Sequence, residues 1–286
     1  MTPSPMDDPK TLVSTSWLAA HLADPDLRVL DASWYLPDMA RDARAEYAAA
    51  HIPAARFFDI DEVSDQRSGL PHMAPPSEKF ISRMRAMGVG DGHQVVVYDG
   101  FGLLSAARVW WLFRLMGKVD VAVLDGGFPK WRAEGRALED MPPVMRDRHM
   151  TVQRQAGLVK DVTQVAHASK LGEAEIIDAR SAPRFKGEVA EPRPGLRAGH
   201  IPGAKNVPYG TLLNADGTMK SVTDLRAVFV AAGVDLSKPA ITSCGSGITA
   251  AVLSLALERI GHRNHALYDG SWAEWGMYDD LQVTKG

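Results

Sequence analysis

The sequence predicts an α/β protein of two tandem domains, each a mainly parallel sheet flanked by helices. Three observations lead there. The first is an internal repeat. Arg28-Val-Leu-Asp-Ala-Ser, Glu46-Tyr47 and His51-Ile-Pro-Ala-Ala-Arg return in the same order as Glu175-Ile-Ile-Asp-Ala-Arg, Arg184-Phe185 and Gly199-His-Ile-Pro-Gly-Ala. Val95–Asp99 then matches Ala240–Cys244, and Leu124–Trp131 matches Tyr268–Trp275. The offsets between matched blocks drift by only a few residues, as one duplicated domain requires. The second is the alternation of short β-branched runs with helical stretches in each half, the pattern of a parallel sheet covered on both faces. The third is length: 286 residues suffice for two domains, each able to bury a core.

Taken in order, Leu27–Leu30 is a short apolar strand ending at Asp31. Val95–Tyr98 is a second, followed by a Gly-rich turn and an amphipathic stretch over Ser105–Met116. Asp125-Gly-Gly closes a further strand. The Pro- and charge-rich stretch Gly135–Gly157, with Glu-Asp-Met-Pro-Pro, has little apolar periodicity and holds the join. In the second half Ala174–Ile177 and Ala240–Ser243 are strands, Thr249–Ile260 is a helix, and Asp269-Gly-Ser is the matching turn. The expected division is 1–145 for a non-catalytic domain, 146–160 for a linker and 161–286 for a catalytic domain, the two packed around a cleft.

Composition removes several function classes. Lys and Arg number 32 against 35 Asp and Glu, so no basic excess points to nucleic acid or an anionic membrane. One cysteine forms neither an internal disulfide nor a thiolate-rich metal site. No uncharged apolar run approaches the ~20 residues of a membrane span. The start, Met-Thr-Pro-Ser-Pro-Met-Asp-Asp, has neither part of a secretory signal nor an Arg-rich presequence, so the expected address is cytoplasmic. Gly88-Val-Gly-Asp-Gly precedes a strand and so reads as a turn, not a dinucleotide fingerprint. His262 and His265 lack a thiol or carboxylate neighbour in sequence, and no metal is expected. The tryptophans read as core or domain-interface residues.

The single cysteine is the informative residue. Cys244 follows a strand and opens the loop Cys-Gly-Ser-Gly-Ile-Thr ahead of a helix. Ligands of open α/β sheets bind at that end of the strands. Gly245 and Gly247 permit a tight loop whose N–H groups turn inward, and the helix start adds its positive end. Both favour the thiolate over the thiol, and the same donors suit a persulfide. The alternative is a small buried hydrophobe, the commoner fate of a lone cysteine. The repeat weighs against it, because the first half carries Asp99 at the equivalent position, so only one loop of two is chemically armed. Asp99 reads as a loop-structuring residue. A cysteine phosphatase needs an arginine six residues after the cysteine; here that residue is Ala250 and the next arginine is Arg259.

At these residues the sequence resembles the tandem-rhodanese family of thiosulfate/3-mercaptopyruvate sulfurtransferases, and within it the mercaptopyruvate enzymes. The resemblance runs from about Leu12 to about Met277 through Asp178-Ala-Arg, Arg184-Phe-Lys-Gly, Glu191-Pro-Arg193, Gly199-His-Ile-Pro-Gly-Ala, Cys244-Gly-Ser-Gly-Ile-Thr-Ala, Asp269-Gly-Ser-Trp-Ala-Glu-Trp and Ala106-Ala-Arg-Val-Trp-Trp. It implies two rhodanese-like domains and a Cys244 nucleophile. The loop Gly245, Ser246, Gly247, Ile248 and Thr249 would hold the charged sulfur, and Arg184 and Arg193 the substrate carboxylate and carbonyl. Pairing of these arginines with surface acids such as Glu188 and Glu191 is the bland alternative, and Arg180 and Arg197 look structural. The resemblance further implies that Ser246, His72 and Asp61 relay protons. Thiosulfate-preferring relatives usually place basic residues directly after the cysteine, where this chain has uncharged Gly245 and Ser246. One departure is Leu104, where some relatives carry a tyrosine.

The implied reaction takes sulfur from 3-mercaptopyruvate through a Cys244 persulfide to cyanide or a thiol such as reduced thioredoxin, releasing pyruvate, with no cofactor. Alternatives are a thiosulfate sulfurtransferase and a non-catalytic carrier or scaffold of the same fold. A monomer suffices for two domains that bury each other's faces.

Overall fold

A computed structural model describes residues 7–36 and 39–286. The first six residues, read above for a leader, lie outside the described ones. The chain forms two compact units. Unit 1 is Met1–Ser64, Pro75–Gln155 and Ala215–Met219; unit 2 is Asp65–Ala74, Ala156–Asn214 and Lys220–Gly286. Two short segments are thus exchanged, which contiguous sequence boundaries did not anticipate.

Unit 1 runs β1 (Leu12–Val13), α1 (Thr15–His21), β2 (Leu27–Asp31), α2 (Ala43–Ala49), β3 (Arg56–Phe57), α3 (Ile60–Val63), α4 (Ser77–Ala86), β4 (Gln94–Tyr98), α5 (Ser105–Leu115), β5 (Val121–Leu124) and α6 (Gly127–Ala133). Its sheet has the order β1-β5-β4-β2-β3, every pair parallel. Val95, Val96 and Val97 are all buried, so β4 is an unbroken apolar run because both faces of the sheet are covered. Asp31 pairs with Tyr98 in register, which puts the ends of β2 and β4 side by side.

Unit 2 runs β6 (Val159–Lys160), α7 (Val162–Leu171), β7 (Glu175–Asp178), α8 (Ala182–Lys186), β8 (Lys205–Asn206), α9 (Val222–Ala231), β9 (Ala240–Ser243), α10 (Ala250–Arg259), β10 (His265–Tyr268) and α11 (Ser271–Trp275). Its order, β6-β10-β9-β7-β8, repeats that of unit 1 strand for strand, again all parallel. The duplication is therefore structural. Helix α7 shows why its ends are sharp. Asp161 and Gln164 form a capping box, and Gly172, at φ 66°, ends the helix in the left-handed conformation.

One sequence expectation needs correction, and two features went unread. The stretch over Ser105–Met116 is not amphipathic: from Ser105 to Leu115 every residue of α5 except Arg114 is buried. In α10, Ala250–Leu257 are likewise all buried. Helices buried this completely carry no polar stripe. The stretch Gly135–Gly157 is largely irregular, as its lack of periodicity suggested, and is held by backbone bonds. Glu139 bridges His51, and the N–H groups of Gln153 and Gln155 donate to the carbonyls of Met116 and Leu115. Finally, β1, β3, β6 and β8 escaped notice because two residues show no periodicity. Trp110, Trp111, Trp131 and Trp272 are buried core residues, each worth about 1.5–3 kcal/mol of apolar burial. Gly88-Val-Gly-Asp-Gly is a turn between α4 and β4.

Candidate active site

Strand β9 lies between β7 and β10 and delivers Cys244 at its carboxyl end. The thiol is 2% exposed, which taken alone is what a packing cysteine shows. Its bonding is different. The N–H of Gly247 donates to Sγ at 3.1 Å. Gly247 has φ +81°, a conformation that favours glycine and turns that N–H back toward the sulfur. The carbonyls of Cys244 and Gly245 accept from Trp272 and Ala273 at 3.0 and 2.9 Å, so the start of α11 holds them. In a planar trans peptide the N–H opposes the C=O. The N–H groups of Gly245 and Ser246 therefore face away from α11. The Cys244 N–H donates to Ser271 Oγ at 3.2 Å, and that hydroxyl donates to the Tyr268 carbonyl at 2.8 Å. Ser271 sits at φ 50°, uncommon for a residue with a side chain.

The arginines divide sharply. Arg184, on α8, is 24% exposed at its side chain and gives both Nε and Nη2 to Glu191. A Cβ placed on Gly245 would lie 3.0 Å from Arg184 Nη2, so glycine there lets the guanidinium close on the loop. Glu191 also accepts from Arg180 Nη1 at 2.9 Å. Arg180 in turn donates Nη2 to Asp178 at 2.7 Å and lies 4.4 Å from the Trp272 ring. Burial opposes its charge, yet Asp178 and Glu191 hold the Arg180 guanidinium above its usual range. Arg180 is structural, as is Arg197, which caps the carbonyls of Trp275, Gly276 and Leu281.

Glu191 itself corrects the sequence reading. Its side chain is 2% exposed, so it is a buried acid rather than a surface one. Glu188 is the surface acid, facing Lys186 at 3.8 Å. Arg193 is half-buried two residues beyond Glu191. Ser246 and Ile248 are buried within the loop, and Thr249 is half-buried directly before α10.

His72 is buried, at φ 59°, in the Asp65–Ala74 segment that belongs to unit 2. The Asp65 N–H donates to the Met73 carbonyl at 2.9 Å, and the Ala74 N–H donates to the Asp269 carboxylate at 2.8 Å. The segment is thereby tied to the turn between β10 and α11. No direct hydrogen bond joins Ser246 to His72. Asp61 lies in unit 1, exposed on α3, where it accepts from Trp34 Nε1 at 3.1 Å. Ser271, Asp269 and Glu191 were not singled out from sequence. Each lies inside a motif, but a motif does not reveal which way a side chain turns. Among the described residues, no cluster of three or more His, Cys, Asp or Glu could hold a metal. His265 instead faces Glu258 at 3.4 Å.

In unit 1 the equivalent loop follows β4 and is filled by its own chain. Asp99 Oδ1 accepts the N–H groups of Phe101 and Gly102, and Oδ2 those of Leu104 and Ala106, all at 2.8–2.9 Å. Asp99 is thus the loop-structuring residue the repeat suggested.

Comparison with known proteins agrees with this architecture. Residues 14–134 and 161–278 each match the family described as "Rhodanese-like domain". The chain is 44% identical to the 3-mercaptopyruvate sulfurtransferase of Escherichia coli K12, across 95% of this chain and 96% of that one. It is 41% identical to thiosulfate/3-mercaptopyruvate sulfurtransferase 1, mitochondrial, of Arabidopsis thaliana, across 96% of this chain and 78% of that one. The crystal structure of the E. coli 3-mercaptopyruvate sulfotransferase SseA superposes with a TM-score of 0.84 at 42% identity, covering 92% of this chain and 99% of that one. Two matched sheets, one loop bearing the sole cysteine, and kinship over nearly the whole chain lead to one conclusion: this chain belongs to the rhodanese-like family and is a two-domain sulfurtransferase.

Proposed function

We propose that the chain moves the sulfur of 3-mercaptopyruvate, through a persulfide on Cys244, to cyanide or to a thiol such as reduced thioredoxin. The observation that carries this reading is the pairing at one loop of a sulfur that receives a backbone N–H with an arginine closed against the neighbouring glycine. The Cys244 thiolate attacks the donor sulfur. The donor's C–S bond breaks, its electron pair passes to carbon, and protonation of the resulting enolate yields pyruvate. Cyanide or a thiolate then attacks the outer sulfur and returns the Cys244 thiolate. Gly245 to Thr249 supply N–H groups to the charged sulfur in both half-reactions. Arg184 and Arg193 hold the donor's carboxylate and carbonyl, a task suited to a planar fork. Ser246 and His72 handle the protons.

The donor preference follows from where the charge lies. Thiosulfate carries charge beside the attacked sulfur and gains from cations in the loop, where this chain has Gly245 and Ser246. Mercaptopyruvate carries its carboxylate some bonds away, which matches an arginine beside the loop. The same reading places the catalytic step in the domain over 161–286 and the non-catalytic partner over 1–145, in a cytoplasmic monomer. Intact-mass measurement after mixing with mercaptopyruvate tests it. One sulfur atom should appear on the wild type, leave with cyanide, and be absent from Cys244→Ser. A wild type that gains none, or a kcat/KM higher for thiosulfate than for mercaptopyruvate, overturns the donor assignment.

A further inference from the structure

We propose that Glu191 is a positioning residue for the donor, setting the direction in which Arg184 presents its guanidinium; this rests on the reading that Arg184 grips the donor's carboxylate. The argument begins with valence. A guanidinium has five N–H donors in a rigid plane. Glu191 takes Nε and Nη2, two neighbouring points of that fork, in a bidentate grip. No described residue accepts from Arg184 Nη1. The held edge fixes the plane, and the remaining donors are presented from a side chain 24% exposed, against Gly245.

Glu191 can impose this direction because it is itself immobilised. Its side chain is 2% exposed and is gripped by Arg180, whose own side chain is 1% exposed and tied to Asp178 at the end of β7. Position therefore passes from the sheet through Asp178, Arg180 and Glu191 to Arg184. The four groups alternate in sign and sum to no net charge. Arg184 thus brings little net field to an anion, and its contribution is geometric. Arg193, outside this series of four groups, supplies the second guanidinium for the carboxylate.

The test uses Glu191→Gln in the full chain. The glutamine amide keeps one acceptor but turns an NH2 toward a guanidinium that needs a carboxylate oxygen, so the bidentate grip is lost. The KM for mercaptopyruvate should rise about tenfold with kcat changed less than about threefold, since the lost interaction orients the donor rather than the sulfur. A second readout does not depend on the sulfur donor. The rate of Cys244 alkylation by anionic iodoacetate, divided by that by neutral iodoacetamide, should fall severalfold in Glu191→Gln, to the ratio of Arg184→Ala. Combining the two substitutions should lower it no further. A loosened fold changes both alkylation rates together and leaves the ratio alone.

Glu191→Asp, which keeps the charge but draws the carboxylate back by one methylene, should fall between and serves if the glutamine variant does not fold. An unchanged or increased ratio overturns the proposal, because it shows Glu191 acting only on fold or net charge. A reduced ratio with no mercaptopyruvate turnover in the wild type upholds the positioning and removes the donor instead.

Discussion

The loops after β4 and β9 descend from one ancestral turn and now do opposite things with the same backbone. In unit 1 four N–H groups converge on the carboxylate of Asp99, an anion supplied by the chain itself. In unit 2 the equivalent position is Cys244, and Gly247 offers its N–H to sulfur. Beside each loop the charge is inverted as well. Glu46 stands in unit 1 where the repeat places Arg184 in unit 2, and it is occupied by Arg41 and the Tyr35 hydroxyl. The buried acids behind the loops differ too. Asp178 has the Arg180 guanidinium. Asp31 has Ser33 in its place, so burial pushes its carboxyl up to about 6 despite the Ser33 hydrogen bonds. An anion-holding turn becomes a structural plug when a carboxylate fills it. On the proposed function it becomes a reactive site when the filler is a nucleophile with a cation alongside.

The largest expected effect comes from moving the thiol. In the double variant Cys244→Ser with Asp99→Cys, transfer should stay at least about 10⁴-fold below wild type, since the new thiol has no arginine in the place of Arg184. Intact mass after mercaptopyruvate checks this, and sulfur on the introduced thiol would show that the loop alone suffices. Next is Asp99→Ala, which strands four backbone donors. Unfolding in urea should show a loss of about 2–4 kcal/mol, with the kcat of sulfur transfer within twofold of wild type. Sulfate should recover part of that loss by occupying the vacated turn, and a sulfate-independent loss would mean that the turn has collapsed.

The smallest effect concerns Asp31. Its folded carboxyl, at about 6, lies above the ordinary 3.8, so its contribution to stability is fully present below about pH 4 and is lost as pH rises through 6. Asp31→Asn removes that penalty. The variant should be about 1–3 kcal/mol more stable than wild type at pH 8, with the gain vanishing near pH 4. No gain, or a loss, at pH 8 would mean that Asp31 is paired as well as Asp178 is.

Much of this was legible in the residues. The repeated Asp-Ala-Ser and Asp-Ala-Arg, the His-Ile-Pro blocks and the paired Asp-Gly turns are local, so they survive as text. The Gly-rich loop announces itself because an inward-turning N–H needs a glycine at the positive φ of Gly247. What escaped was long-range. The two-residue strands are defined by their neighbours rather than by their own pattern. Helix α5 lacks a polar stripe because it packs on all sides, and that crowding comes from residues far along the chain.

The sequence thus settled the α/β class and the duplication and pointed to Cys244 over Asp99, since each depends on residue type and spacing. Tertiary structure decided the rest: that Glu191 is buried and shared by two arginines, that Ser271 supports the Cys244 amide, and that Asp65–Ala74 clusters with unit 2. Hydrogen bonds and burial depend on what folds alongside a residue, and spacing along the chain does not carry that information.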